Sequence, residues 1–282
     1  MKPSRSRSSA LLFTVLALAI IVVLWYSVIW AFRLKSFVMP TPYAAVRFLL
    51  DNRTMLTPMI LATLKETLIG FLAGTAFGFV CAVAMSQSPI VQRLIYPMLI
   101  TSQAIPVVAV APPLVILLGF GLTPKLVIVG WIVFFPVLVS VLDGLLGVDR
   151  DILSLANSMR GSRRRTFVLL RLPAAIGPLF SGLKIGATYA VTGAVIGEWT
   201  ASNGQGLGAY IQNADAALNA AGVYGSTMLL TIIGVAGFVG ISRLERVAAP
   251  WKYRSVARGG GWLSTKAVGL YQQTVRATQA TP

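Results

Sequence analysis

Few side chains in this sequence can do covalent chemistry. Histidine is absent, and the one cysteine, Cys81, lies inside an apolar run. Those absences remove the parts for Cys/His zinc sites, disulfide frameworks and imidazole acid–base catalysis. Eight carboxylates remain, at Asp51, Glu66, Asp143, Asp149, Asp151, Glu198, Asp215 and Glu245, and no two form a convincing catalytic pair. The glycines Gly259–Gly261 stand at the wrong distance from Lys266 for a phosphate loop of the form G-x-x-x-x-G-K-[ST]. What the chain concentrates is arginine. Arg160, Arg163, Arg164, Arg165 and Arg171 fall within "SLANSMRGSRRRTFVLLRLP", residues 154–173, between two apolar runs. The chemistry open to such a segment is binding, and a surface loop held by anionic lipid is its simplest use.

The surrounding elements are those of a membrane protein. Of 282 residues 56% are hydrophobic and 11% charged, with a mean hydropathy of +0.78, against about 45–50% apolar and about 25% charged in soluble domains. The net charge of +16 is not a nucleic-acid footprint, which needs a folded patch or stripe, because the basic residues occupy gaps between apolar runs. A helix needs about 20 apolar residues to cross the hydrocarbon layer. Six segments qualify, near 10–32, 61–85, 94–118, 126–146, 174–199 and 224–241, so an all-α membrane fold of about six transmembrane helices is expected. The first run is too long for a typical cleaved signal and reads as a retained span. Between the first two, Pro40 and Pro42 precede an amphipathic piece with Val46, Leu49 and Leu50 on one side, expected at the membrane surface. The second span carries Gly70, Gly74 and Gly78 at four-residue spacing, either a close-packing ridge or the ordinary glycine content of membrane helices. The third is broken by Pro97, Pro106, Pro112 and Pro113, which suits a helix lining a pathway, where neighbours or a cavity satisfy the freed carbonyls.

Six spans place both termini on one side. Counting Lys and Arg with the termini inside gives seventeen in inner segments and five in outer ones, the latter including Lys125 in the turn after the third span. The positive-inside rule therefore puts residues 149–173 in the cytoplasm, with tails at 1–9 and 259–282 on the same side. Within that loop Ile152, Leu155, Ala156 and Met159 recur at helical spacing, with Asp149 and Asp151 at the positive end of the helix dipole. A turn is expected at Arg160-Gly161-Ser162, then a second helical piece, Arg163 to Leu172, ending against Pro173.

This arrangement resembles the "EAA" loop of permease subunits of binding-protein-dependent ABC importers, whose pattern is E-A-A-x-x-x-G followed by I-x-L-P. Counting back from Leu172-Pro173, the E-A-A positions fall on Ser154, Leu155 and Ala156 and the glycine on Arg160; Ala156 and the Leu-Pro match, and Gly161 stands one residue late. The resemblance extends from about Phe37 to Lys252, through "FVMPTPYAAVRFLLDN", "ATLKETLIGFLAGTAFGFVCAVAMSQSP", "APPLVILLGFGLTPKLVIVGWIVFFPVLVSVLDGL" and "FSGLKIGATYAVTGAVIGEW". It is nearest the branch handling nitrate, sulfonates, taurine and pyrimidine precursors of thiamine. The resemblance implies a type I importer permease fold. It also implies two cytosolic ABC ATPase subunits, a second permease copy, and a periplasmic or lipid-anchored substrate-binding protein, in the cytoplasmic (inner) membrane. ATP and Mg would belong to the ATPase, with no cofactor, metal or catalytic residue on this chain. The coupling loop would comprise Ile152, Ser154, Leu155, Ala156, Met159, Arg160, Gly161 and Pro173, its apolar face seated in the ATPase and its arginines pairing with acidic residues there.

Pathway candidates are Gln103, Pro106, Pro112, Pro113, Lys184 and Glu198. Glu198, in "GEW", reads either as an outer gate or, with Trp199, as an interfacial anchor; Lys184 either faces the pathway or snorkels. Asp143 is expected to pair with a basic loop residue. Trp131, Phe134 and Phe135 either stack on a flat heterocycle or pack against lipid. The competing class is an ion-coupled secondary transporter using Glu66, Asp143 or Glu198 as a proton relay; a membrane-embedded enzyme is disfavoured by the missing histidine and unclustered carboxylates.

Overall fold

A computed structural model of the chain describes residues 7–201 and 204–250. The described residues are helical and contain no strand. In order they form α1 (Arg7–Ala31), α2 (Pro42–Asp51), α3 (Arg53–Gln87), α4 (Pro89–Gln103), α5 (Val107–Leu118), α6 (Leu122–Leu146), α7 (Arg150–Ser158) and α8 (Arg163–Thr166). A π-helical turn (Phe167–Arg171), α9 (Leu172–Ala201), α10 (Leu207–Ala216) and α11 (Ala220–Ala248) follow. Helices α3, α6 and α11, and the continuous run Arg163–Ala201, are long and apolar enough to cross a membrane. A fifth crossing is the pair α4 and α5, bent by 98°. The first expected span falls on α1, Arg7–Ala31, which is apolar over Val15–Ala31. The expected C-terminal tail, 259–282, and residues 1–6 lie outside the described residues, whereas Arg7 to Ser9 already belong to α1.

Helix ends follow local chemistry. Thr41 and Ser88 accept N–H bonds from Ala44 and Val91, and prolines Pro42 and Pro89 follow them where a missing N–H costs nothing. At 104–106 the chain tightens, with Ala104 and Ile105 bonded back to Thr101 and Ser102, and Pro106 then starts α5 in a new direction. Pro106 alone thus breaks the third span into two helices; of the other prolines expected to break it, Pro97 lies inside α4 and Pro112 and Pro113 inside α5.

The core is the packing of α6 between α3 and α9, with Val129, Val133, Val137, Leu138, Val141 and Leu142 of α6 essentially inaccessible. The glycine ridge of α3 faces α6: a Cβ at Gly74 would lie 2.5 Å from the Gly130 carbonyl oxygen, and one at Gly78 2.7 Å from that of Phe134. Close backbone approach is thus the use of these glycines, and packing of this kind is what holds helices together where lipid is as apolar as leucine. Gly74→Leu is expected to force α3 from α6 and lower the yield of detergent-stable protein several-fold in size-exclusion profiles; a normal profile would show that the ridge tolerates bulk. In α2 the inward residues are Ala45, fully buried, and half-buried Leu49, while Val46 and Leu50 are exposed. The expected apolar face is therefore rotated, because α2 packs its Ala45 and Leu49 side against Gly225 of α11.

Candidate functional site

Two ends of the bundle carry the polar chemistry. At one end, Asp149 precedes α7 and its Oδ1 accepts the Asp151 N–H at 2.9 Å, a capping arrangement that starts the helix. Leu153 and Ala156 turn toward the body of the protein, whereas Ile152, Leu155 and Met159 are 48%, 62% and 77% exposed. Three large apolar side chains at i, i+3 and i+7 thus form an uncovered stripe, flanked by exposed Ser154. The helix ends as Arg160 enters the left-handed region at φ +56°, and the Gly161 N–H donates to the Ala156 carbonyl at 2.9 Å. This is a Schellman-type stop. Arg160 therefore occupies the left-handed position, where glycine would be unstrained, and Gly161 serves a different need: its Cβ would sit 2.8 Å from the Ala156 oxygen. Ser162 then caps α8, accepting the Arg165 N–H.

Pro173 corrects the expectation that the second helical piece ends there. The Leu172 N–H reaches back to the Phe167 carbonyl, five residues earlier. A proline crowds the carbonyl four residues before it; the wider π turn just ahead relieves that crowding, and the helix runs through Pro173 to Ala201.

At the opposite end Glu198 is 1% exposed. Its Oε1 accepts the Thr63 hydroxyl at 2.6 Å, and its Oε2 accepts the backbone N–H groups of Gly208 and Ala209. Thr63 Oγ1 in turn accepts the Leu207 N–H at 2.8 Å. Glu198 is thus an internal latch on the first turn of α10, where free N–H groups and the helix dipole favour a carboxylate. Gly206 permits this: its φ is +104°, and a Cβ there would lie 2.1 Å from Glu198 Cδ. Trp199 completes the clamp, donating Nε1–H to the Gly208 carbonyl at 3.0 Å. Beside them Lys125, expected in a turn, is 4% exposed within α6 and donates to Glu66 Oε1 at 2.7 Å. The helix starts at Leu122, early enough to carry this lysine inside, and Glu66 supplies the counter-charge.

Lys184 is half-buried on α9. It forms a salt bridge with Glu245 of α11, a fully buried carboxylate. The sixth helix continues past its expected end at 241 to Ala248, which brings Glu245 into reach. Asp143 is exposed and makes no salt bridge among the described residues, in place of the expected pairing with the loop. Among the described residues no three of His, Cys, Asp and Glu converge as a metal site would need.

Two cavities flank the bend at Pro106. One, of about 420 Å³, gathers Gln103 and Ser102 of α4 with Phe77, Trp131 and Phe134. Phe135 packs in the core instead. The other, of about 530 Å³, lies between α5, α9 and α11, and its polar lining is Thr188, Thr192, Thr227 and Thr231, with Trp199. Pro112 and Pro113 are exposed on α5 and line neither cavity. Sequence reading missed the threonines, although each pair stands at i, i+4 and so shares a helix face. Three of the four hydroxyls donate to the carbonyl four residues earlier, Thr188 to Lys184, Thr227 to Val223 and Thr231 to Thr227. Their protons being committed, they offer lone pairs to the cavity.

Comparison with known proteins agrees with this architecture. The family model described as "Binding-protein-dependent transport system inner membrane component" matches residues 74–252. A probable ABC transporter permease protein of Haemophilus influenzae is 32% identical over 83% of this chain and 95% of its own length. The formylaminopyrimidine transport permease protein ThiX of Halalkalibacterium halodurans is 30% identical, covering 77% of this chain and 87% of its own. The taurine transport system permease protein TauC of Escherichia coli is 27% identical, covering 83% and 87%.

Proposed function

From the premise that the chain belongs to the inner membrane components of binding-protein-dependent transport systems, we propose that it works as a homodimeric permease importing a neutral, donor-bearing heterocycle of the aminopyrimidine kind. It is an ABC importer permease; two ATPase subunits dock on its α7 hairpins, and an external binding protein delivers solute to the opposite end. The α7 end, with both termini, faces the cytoplasm, in keeping with its share of the basic residues. ATP and Mg belong to the ATPases, and this chain contributes no reaction chemistry. Nucleotide-driven closure of the ATPases draws the hairpins together, and the continuous helix from Arg163 to Ala201 carries that rigid-body motion to the far end, where Glu198 holds α10.

The observation that carries the substrate reading is the uncharged, largely apolar cavity with its four threonine hydroxyls. No charged side chain lines it, and three of its threonines present acceptors only. A ring bearing N–H groups finds partners there. A sulfonate or nitrate, which accepts but does not donate, would be desolvated without compensation. The broken span beside it supports the same placement, since non-helical backbone at membrane depth is tolerated next to protein or a water-filled path.

The test is uptake in proteoliposomes holding the whole importer. Thr188→Val with Thr231→Val is expected to lower uptake of an aminopyrimidine about tenfold or more, two hydrogen bonds at roughly 1 kcal/mol each, while ATPase association stays unchanged. Gln103→Ala, in the other cavity, is expected to have little effect. Loss at Gln103 with retention in the threonine variant would move the path to the aromatic cavity, and uptake of taurine in preference to the heterocycle would overturn the substrate class.

A further inference from the structure

The arginine loop is not exhausted by topology or by docking of an ATPase. Between the end of α3, the start of α4, α7 and the π turn lies a cavity of about 380 Å³ lined by Ser86, Gln87, Leu153, Arg163, Thr166 and Arg171, with Pro89 and Phe167. No carboxylate lines it, and neither Arg163 nor Arg171 makes a salt bridge among the described residues. Arg171 spends one Nη1–H on the Ser86 carbonyl at 3.5 Å. Its Nε is buried and has no hydrogen-bond partner. A buried guanidinium N–H without an acceptor is costly, and two guanidinium groups facing one cavity repel each other until an anion enters. The π turn Phe167–Arg171 is what aims Arg171 inward; such turns recur at functional sites.

We propose that this cavity is an anion site for a phosphate group, held by the fork of Arg171 and by Arg163, with the hydroxyl of Thr166 and the amide of Gln87 as further donors, while the Ser86 hydroxyl is already committed to the Val83 carbonyl. Planar guanidinium groups suit phosphate because they bind it through paired N–H bonds. The phosphate can come from an anionic phospholipid headgroup or from free phosphate. Bound there it ties the α7–α8 hairpin to the α3–α4 joint, splinting the coupling helix to the rest of the bundle. The site stands on the cavity and its arginines alone and does not require the import reading.

The experiment measures the unfolding midpoint of the full-length chain at constant ionic strength. One arm places it in nanodiscs of phosphatidylcholine with or without phosphatidylglycerol; the other titrates inorganic phosphate into detergent-solubilised protein. A rise with phosphatidylglycerol alone assigns the headgroup, and a rise with inorganic phosphate assigns the free anion. Arg163→Gln and Arg171→Lys are each expected to weaken the apparent affinity about tenfold or more. Arg164→Gln, exposed and outside the cavity, is expected to keep it; Arg171→Lys retains charge but loses the fork, and Arg163→Gln alters an exposed position, so a folding defect in one leaves the other informative. No rise with either ligand, or an equal rise in all the variants, would overturn the site. A rise seen only when the ATPase is added would give these arginines to a partner carboxylate and overturn it as well.

Discussion

Leu155→Asp combined with Met159→Asp is expected to leave the chain inserted and folded yet unable to retain its ATPase. Both side chains are largely exposed in the isolated chain, so the substitutions remove nothing from its own core. Burying a leucine or methionine in a partner groove contributes roughly 1.5–3 kcal/mol each, and an aspartate forced into the same groove adds a desolvation penalty. The combined loss is on the order of 10²- to 10⁴-fold in affinity, enough to abolish co-purification and uptake. Ala156, equally attractive from its match to the family pattern, is a poorer target. It is half-buried and its carbonyl receives the Gly161 N–H that ends the helix, so an aspartate there would confound docking with folding. The check is the stoichiometry of ATPase recovered with tagged permease, beside an unchanged elution volume for the permease alone. Recovery at wild-type yield would dismiss α7 as the docking element.

The second large effect belongs to Glu198. Glu198→Ala removes the acceptor for the Thr63 hydroxyl and for two N–H groups at the start of α10, all buried. Each buried donor left without its acceptor costs about 1–3 kcal/mol. α10 is therefore expected to detach, giving a lowered unfolding midpoint and new proteolytic cuts around residues 204–219. Glu198→Gln keeps one acceptor oxygen and is expected to be milder. An alanine variant with an unchanged midpoint and protease pattern would mean that the latch carries no stability.

The helical character, the break in the third span, the glycine ridge and the hairpin at 149–173 were all legible because each is a local pattern: length of an apolar run, position of a proline, four-residue repeats. The polar pairings between helices were not. Glu66 and Lys125 stand 59 residues apart, Lys184 and Glu245 61, and Thr63 and Glu198 135. No periodicity links such partners; they meet because α3, α6, α9 and α11 pack at particular rotations. For the same reason the partners of Glu198 and Lys184, which are Thr63 and Glu245, could not be read from the spans one at a time. Pro173 misled in another way, since the rule that proline ends a helix assumes an α register and the π turn before it changes that register. The threonine pairs were visible one helix at a time, but that Thr188 and Thr192 face Thr227 and Thr231 depends on α9 lying beside α11.

The most direct test of the transport account is solute accumulation by proteoliposomes containing the permease and its ATPase, with ATP enclosed on the α7 side and binding protein outside. The account predicts uptake that requires both ATP and binding protein and persists when a protonophore collapses the proton gradient. Uptake by the permease alone, driven by a proton gradient and abolished by the protonophore, would contradict it.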